Sequence, residues 1–149
     1  MKPKPTNLPP LPRHQASNWS IALLPGLSSE DEAKLLESGI QTTQELLQRG
    51  KTPTQRQTLA TQLHIHIQHV NKWVALASLA QIPAVGCQYC GLLLHAGISS
   101  PAQLAQTPLP RLHRLMVRLY VAMLQRPELC PSLDQVSQWI EQARLIGNR

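Results

Sequence analysis

The chain has 149 residues, enough for one domain with a buried core, and its composition narrows the fold. Apolar residues make up 42% of the chain but aromatic residues only 3%, and Phe is absent. A core built mostly of Leu, Ile, Val and Ala favours packed helices over a β-sandwich rich in aromatic and β-branched strands. We therefore predict an all-α fold.

The formal net charge of +6 is unevenly distributed. Residues 1–23 carry three basic residues and no acid, residues 24–79 carry five of each, and residues 80–149 carry six basic residues against three acids. Such basicity suits a nucleic acid, an anionic membrane surface or an acidic protein as partner. The odd number of cysteines, the lack of a leader pattern and the lack of a long apolar run predict a cytoplasmic protein without a transmembrane segment.

Residues 1–16 are predicted to be a proline-rich basic tail. Five prolines oppose helix formation there, and few apolar side chains are available for burial. Part of the tail favours polyproline II and resembles ligands of proline-recognising domains, although such stretches also serve as plain linkers. The candidate docking residues are Leu8, Pro9, Pro10, Leu11, Pro12 and Arg13.

Capping and stop signals predict a first helical unit over residues 17–79. Ser29 with Glu32, and Thr42 with Glu45, each match the capping-box pattern at a helix start. The predicted helices begin, in chain order, near Trp19, Ser29, Thr42, Pro53 and Ile65.

Residues 80–149 repeat this plan as a second unit. Leu24-Pro25-Gly26-Leu27-Ser28 corresponds to Ile82-Pro83-Ala84-Val85-Gly86 at an offset of 58 residues. The helices around the two central tryptophans correspond at an offset of 66, so the second copy has eight extra residues before its last helix, a region that we place between residues 109 and 131. We interpret this as an internal duplication. The hairpin positions are Pro25, Gly26, Gly39, Pro83 and Gly97, and the expected core tryptophans are Trp73 and Trp139.

The turn pattern resembles the helix-hairpin-helix motif. Two such units, each followed by a helix with a central Trp, are similar to a cyanobacterial domain-of-unknown-function family built from two tandem helix-hairpin-helix units. The resemblance covers about residues 20–146 and implies that residues 17–149 pack as one compact helical domain. By analogy of fold, repeat proteins of this kind often bind nucleic acid.

In such a hairpin, glycines allow close backbone approach, and free N–H groups at the next helix point at a phosphate oxygen. Each hairpin here keeps one of the two expected glycines, Gly26 in the first and Gly86 in the second. Glu30, Asp31 and Glu32 follow hairpin one and compete with a phosphate for the helix N-terminus. Hairpin one is therefore expected to be a poor phosphate binder.

Hairpin two lacks those acids and precedes a predicted helix over residues 109–125. On this helix Arg111, Arg114 and Arg118 form a stripe opposite a core face that extends to Met123. Beside hairpin two, the stripe would suit a nucleic-acid backbone; alternatively, it is a solvated face or a docking site for an acidic protein. The candidate partner-binding or phosphate-binding residues are Gly86, Cys87, Gln88, Arg111, Arg114 and Arg118.

Cys87 and Cys90, with a histidine cluster in residues 64–69 and with His95, supply enough donors in number for a zinc site. However, Cys90 falls where the motif packs a small residue beneath the hairpin, and a buried Cys behaves as a small hydrophobe. We therefore expect no metal and no cofactor.

The eight acidic residues include no pair placed to share a substrate, and no P-loop, dinucleotide or nucleophile-elbow motif is present. We therefore expect no enzyme. The main hypothesis is a non-catalytic protein-interaction module, an accessory or assembly factor that docks onto a larger protein complex. The family resemblance implies a cyanobacterial setting, where a photosynthetic complex would hold the protein peripherally at the thylakoid surface. The alternative is sequence-independent nucleic-acid binding through hairpin two and the Arg111, Arg114 and Arg118 stripe.

Overall fold

The computed structural model describes residues 16–147, which are helical apart from turns, loops and one isolated β-bridge between Ser20 and Thr42. The eight α-helices are α1 (Ser29–Glu37), α2 (Thr43–Arg49), α3 (Pro53–Leu63), α4 (Ile67–Ala80), α5 (Gly86–His95), α6 (Pro101–Ala105), α7 (Leu109–Ala122) and α8 (Leu133–Gly147). Short 3-10 helices cover Ile21–Leu23 and Pro127–Leu129. The all-α prediction is confirmed. The predicted tail, including Leu8 to Arg13, lies outside the described residues except for Ala16.

Side-chain caps begin several of the helices. The Thr42 hydroxyl accepts from the Glu45 N–H, and the Glu45 carboxylate accepts from the Thr42 N–H, so the capping box predicted at α2 is confirmed. The cap of α1 is Ser28, whose hydroxyl accepts from the Asp31 N–H at 3.1 Å. The capping box predicted at Ser29 is therefore wrong by one residue, because the chain already turns into the helix at Ser28.

The two units repeat the same backbone geometry at equivalent turns. Gly39 and Gly97 follow α1 and α5 with φ of 84° and 94°, which favours glycine. The next N–H, of Ile40 or Ile98, donates to the carbonyl five residues earlier at 2.9 or 3.0 Å. The repeat found in the sequence is therefore also a repeat of hydrogen bonds.

One apolar core joins both units. Helices α2 and α3 pack against α4, α6 and α7 pack against α8, and α4 packs against α5. Trp73 of α4 and Trp139 of α8 are buried at equivalent positions, and the Tyr89 ring centroid lies 4.9 Å from that of Trp139. The buried cluster extends without division from Ile21 to Ile146.

The segment before α1 connects the start of α2 with the end of α4 through hydrogen bonds of Trp19. The Trp19 indole N–H donates to the Ala80 carbonyl at 2.7 Å, and the Thr43 N–H donates to the Trp19 carbonyl at 2.8 Å. The helix predicted over residues 19–24 is reduced to the 3-10 turn Ile21–Leu23, because the Trp19 backbone pairs with Thr43 instead of with its own segment.

The extra residues of the second unit lie between the start of α7 and the start of α8, as predicted. Helix α7 is three residues longer than α3, and the connection 123–132 is seven residues longer than the connection 64–66. Helix α6 is two residues shorter than α2, so the net excess is the eight residues found from the offsets. Helix α7 ends at Ala122, before the predicted end at Gln125. Met123 was expected in the core face but is 55% exposed, because the helix has ended and the chain reverses at Gln125, whose φ is 55°.

Candidate functional site

At the N-terminus of α5, which was expected to face a ligand, the Trp19 ring packs against Gly86. Gly86 is buried, and a Cβ atom there would lie 3.1 Å from Cζ2 of the Trp19 ring. The Gly86 N–H donates to the Ile82 carbonyl at 2.9 Å, and the Ala84 N–H donates to Oε1 of Gln142 at 2.7 Å. Gly86 therefore packs closely against Trp19, and its role in binding stays a prediction. Of its predicted neighbours in the site, Cys87 is half-buried and Gln88 is exposed.

The N-terminus of α1 is capped by the Ser28 side chain and carries three acidic residues. The Ser28 hydroxyl accepts from the Asp31 N–H, and the Ser28 carbonyl accepts from the Glu32 N–H at 2.8 Å. Glu30, Asp31 and Glu32 add three carboxylates in the first turn, where they complement the helix dipole. At this helix end a phosphate would have to displace the Ser28 hydroxyl from the Asp31 N–H, and the three carboxylates would repel it.

The cysteines of α5 belong to the core side of the helix. Cys90 is buried, and burial, with a smaller contribution from Cys87, raises the pKa of its thiol to about 12. Burial also raises the pKa of the Cys87 thiol. A metal binds the thiolate, which such burial disfavours. Within residues 16–147, no three His, Cys, Asp or Glu side chains converge as metal ligands, so Cys87, Cys90 and His95 are not brought together as a site.

Helix α7 presents three arginines to solvent, a set that we call the arginine row (Arg111, Arg114 and Arg118). The opposite face of α7 is buried in the core through Leu112 and Met116. None of the three guanidinium groups forms an ion pair or a hydrogen bond with another residue in the described part of the chain. The ion pair found in that part joins Arg126 to Glu128 and lowers the pKa of the Glu128 carboxyl.

Exposed apolar side chains lie beside the arginine row. With 3.6 residues per turn, Val117 lies about 60° around the axis from Arg114, and Val121 lies about 60° from Arg118. Further exposed apolar side chains follow the end of α7, where the 3-10 helix Pro127–Leu129 packs against that helix. What we call the apolar row holds six of the nine exposed large apolar side chains of the described residues, each 39% to 55% exposed: Val117, Val121, Met123, Leu124, Leu129 and Leu133.

The arginine row lies on the side of α7 that faces away from the core. Tyr120 is buried on the core face, where burial, with Tyr89 of α5 and Cys130 nearby, raises the pKa of its hydroxyl. Arg118 lies about 160° around the helix axis from Tyr120.

The arginine row was predicted from the sequence, whereas the apolar row was not. Two features of the sequence nevertheless indicate the apolar row. Val117 and Val121 fall off the core face at a spacing of one helical turn. The change of offset from 58 to 66 marks extra residues in the same region. The extra residues have no counterpart in the first unit, so they are not required for the repeated packing and can form a separate binding surface.

These features define an all-α protein with similar turns after α1 and α5 and with arginines on α7 that have no ion-pair or hydrogen-bond partner within residues 16–147 and lie beside exposed apolar side chains. The chain belongs to the family described as Domain of unknown function (DUF4332), which matches residues 25–146. No curated protein and no solved structure matches the chain. None of the helices in residues 16–147 has both the length and the apolar character needed to cross a bilayer.

Proposed function

We propose that this chain is a non-catalytic protein-interaction module that docks onto a larger protein complex through the outward face of α7. The observation that carries the proposal is the unpaired arginine row beside the apolar row. Clustered exposed apolar side chains with a polar border are typical of protein-binding sites, and Arg is enriched in such sites. Docking would bury the apolar row and give the arginine row its carboxylate partners.

The proposal includes two tandem helix-hairpin-helix units. Gly26 and Gly86 both have positive φ, of 76° and 55°, near the starts of the two hairpin-following helices. The repeated turns at Gly39 and Gly97 add to this similarity. In this interpretation the duplicated hairpins build a scaffold, and α7 with the extra residues of the second unit supplies the binding surface.

Nucleic-acid binding through hairpin two is the competing function. It would require a phosphate to reach the N-terminus of α5 while the same backbone contacts the arginine row. The Trp19 ring packs against the buried Gly86, which leaves little room for a phosphate at that glycine. This packing, together with the exposed apolar side chains beside the arginine row, is why we favour a protein partner.

The family resemblance supports a cyanobacterial setting and a role as an accessory or assembly factor at a photosynthetic complex. Such a complex would bring the module to the thylakoid surface without the module itself entering the bilayer. The proline-rich stretch from Leu8 to Arg13 would add a second docking segment at the same complex.

The first test compares baits in extracts of cyanobacterial thylakoids. The wild-type chain is compared with Arg114→Glu plus Arg118→Glu, and with a control of equal charge change on exposed residues elsewhere, Lys51→Glu plus Lys72→Glu. We expect the wild type and the control to retain one stoichiometric protein partner that the arginine variant loses. A bait that begins at Ala16 measures the contribution of residues 1–15.

The second test measures binding of the same proteins to duplex and single-stranded nucleic acid across salt concentrations. We expect no binding near physiological salt. Affinity that falls steeply with salt and disappears in the arginine variant, with no protein partner captured, would support the competing function instead.

A further inference from the structure

We infer that the partner presents an acidic amphipathic helix to α7. This inference rests on the proposed function and adds the chemistry of the partner. Its basis is the arginine row together with Val117 and Val121, the two members of the apolar row that lie on the same helix.

The spacing of residues along α7 matches the spacing of residues on a partner helix. Arg114 and Arg118 are one turn apart, as are Val117 and Val121, so neighbours within each row are separated by about 6 Å. A partner helix with apolar residues one turn apart, and with Asp or Glu on the flanking stripe, matches both rows with the same spacing. Each carboxylate can accept two hydrogen bonds from one guanidinium group, which gives geometric specificity as well as charge pairing.

Charge argues against a second copy of the same face as the partner. Helix α7, from Leu109 to Ala122, contains no Asp or Glu. Two α7 helices packed together would bring arginines near arginines and provide no carboxylate to pair with them. The carboxylates that pair with the arginine row must therefore come from an element other than a second α7.

The apolar row argues against a duplex or a bilayer as the partner. A nucleic-acid backbone offers phosphates to the arginine row but little apolar surface to Val117 and Val121. A helix that lies in a membrane interface uses a broad apolar face. The broad apolar face of α7, with Leu112, Met116 and Tyr120, is already buried in the core, and only a narrow row remains exposed.

The experiment uses the full chain and a labelled synthetic helical peptide of about eighteen residues, long enough to form a helix, with Leu one turn apart and Glu on the flanking stripe. We expect saturable binding by fluorescence anisotropy. Arg114→Glu plus Arg118→Glu should weaken binding by about tenfold or more and should create binding to the matched peptide that has Lys in place of Glu. Lys51→Glu plus Lys72→Glu should leave the affinity unchanged, because these residues lie outside both rows.

The contribution of the apolar row is tested without a change of charge. Val117→Ser plus Val121→Ser should weaken binding of the acidic peptide by about fivefold or more, since each valine loses its buried contact with the peptide. Circular dichroism and the thermal midpoint confirm that each variant remains folded.

Several outcomes would overturn the inference. One is no saturable binding of the acidic peptide; another is equal binding of the acidic and basic peptides; a third is an arginine variant that binds the acidic peptide as well as the wild type does. Tighter binding to vesicles containing phosphatidylglycerol, or to duplex DNA, would also overturn it when the arginine variant abolishes that binding. If a captured protein depends on α7 while the acidic peptide fails to bind, only the inference fails. If no captured protein depends on α7, the proposed function fails.

Discussion

Trp19 precedes the residues matched by the family, yet it contacts three separate segments of the fold. Its indole N–H donates to the Ala80 carbonyl, its backbone N–H donates to the Thr43 hydroxyl at 3.0 Å, and its ring lies over Gly86. Because hydrogen bonds hold the ring in place, it has little freedom to retreat from a larger residue at position 86.

Gly86→Ala should lower the free energy of unfolding by about 2 kcal/mol or more. The φ of 55° costs an L-residue roughly 1–2 kcal/mol, and the new Cβ also presses on the Trp19 ring at 3.1 Å. In a Trp19→Ala background the cost of Gly86→Ala should shrink by about 1 kcal/mol, because the ring is gone. Urea unfolding of the four proteins of this cycle measures the coupling, and equal costs in both backgrounds would contradict the contact.

Burial of the Cys90 thiol makes the free energy of unfolding depend on pH. Its thiol has a pKa of about 12 in the folded chain and an ordinary value of 9.0, because burial disfavours the thiolate. The unfolded state therefore releases its proton first as the pH rises.

We expect the stabilising contribution of the neutral Cys90 thiol to be complete below pH 9 and to be lost progressively as the pH rises from 9 towards 12. Cys90→Ala removes this titration. The free energy of unfolding should therefore fall less steeply with pH in Cys90→Ala than in the wild type over that window. Parallel curves from denaturant titrations at each pH would show that Cys90 does not contribute.

At the scale of the element, helix ends follow from a few adjacent residues. The capping box of α2 was predicted correctly, since Thr42 and Glu45 satisfy each other's backbone N–H groups. The end of α7 was predicted incorrectly, because no residue next to Ala122 is a typical helix-stop signal. The backbone there reverses through Gln125 in the left-handed region, with the Arg126 N–H donating to the Tyr120 carbonyl at 2.9 Å.

Gln125→Gly should raise the free energy of unfolding by about 1 kcal/mol. Gln125 has a φ of 55°, a conformation that strains an L-residue but not glycine. Gln125→Ala keeps the Cβ atom and should give no such gain. Equilibrium urea unfolding compares the two variants with the wild type, and equal stabilities of the Gly and Ala variants would contradict the strain. His64, with φ of 56° after α3, offers the same comparison in the first unit.

At the scale of the molecule, the two units share one core. The buried cluster includes Leu46 of the first unit and Leu104 of the second, which occupy equivalent positions 58 residues apart. Helix α4 joins the units by packing directly against α5, and Trp19 of the first unit packs against Gly86 of the second. One buried cluster therefore contains apolar side chains of both units.

The chain should therefore unfold in a single cooperative transition. Far-ultraviolet circular dichroism and tryptophan fluorescence should give the same urea midpoint. Leu46→Ala or Leu104→Ala should each cost about 2–5 kcal/mol and shift both probes together, although each removes side-chain atoms from only one unit. Two separate transitions, or a shift in one probe alone, would show that the units fold independently.

The sequence by itself determined the features that depend on neighbouring residues. The helical class, the duplicated turns, the glycines with positive φ at Gly39 and Gly97, and the equivalent tryptophans Trp73 and Trp139 all follow from local capping chemistry or from helical spacing. The outward position of the arginine row follows in the same way, since α7 keeps its core face by periodicity.

Only the tertiary structure decided which of these features can act together. Trp19 contacts Gly86 and Ala80 across a large sequence separation, and this contact places an indole ring against the glycine that the sequence assigned to a phosphate site. The early end of α7 and the course of residues 123–132 turn apolar residues outward beside the arginine row. Long-range packing selects these contacts, because the burial that drives them depends on residues that no local pattern brings together.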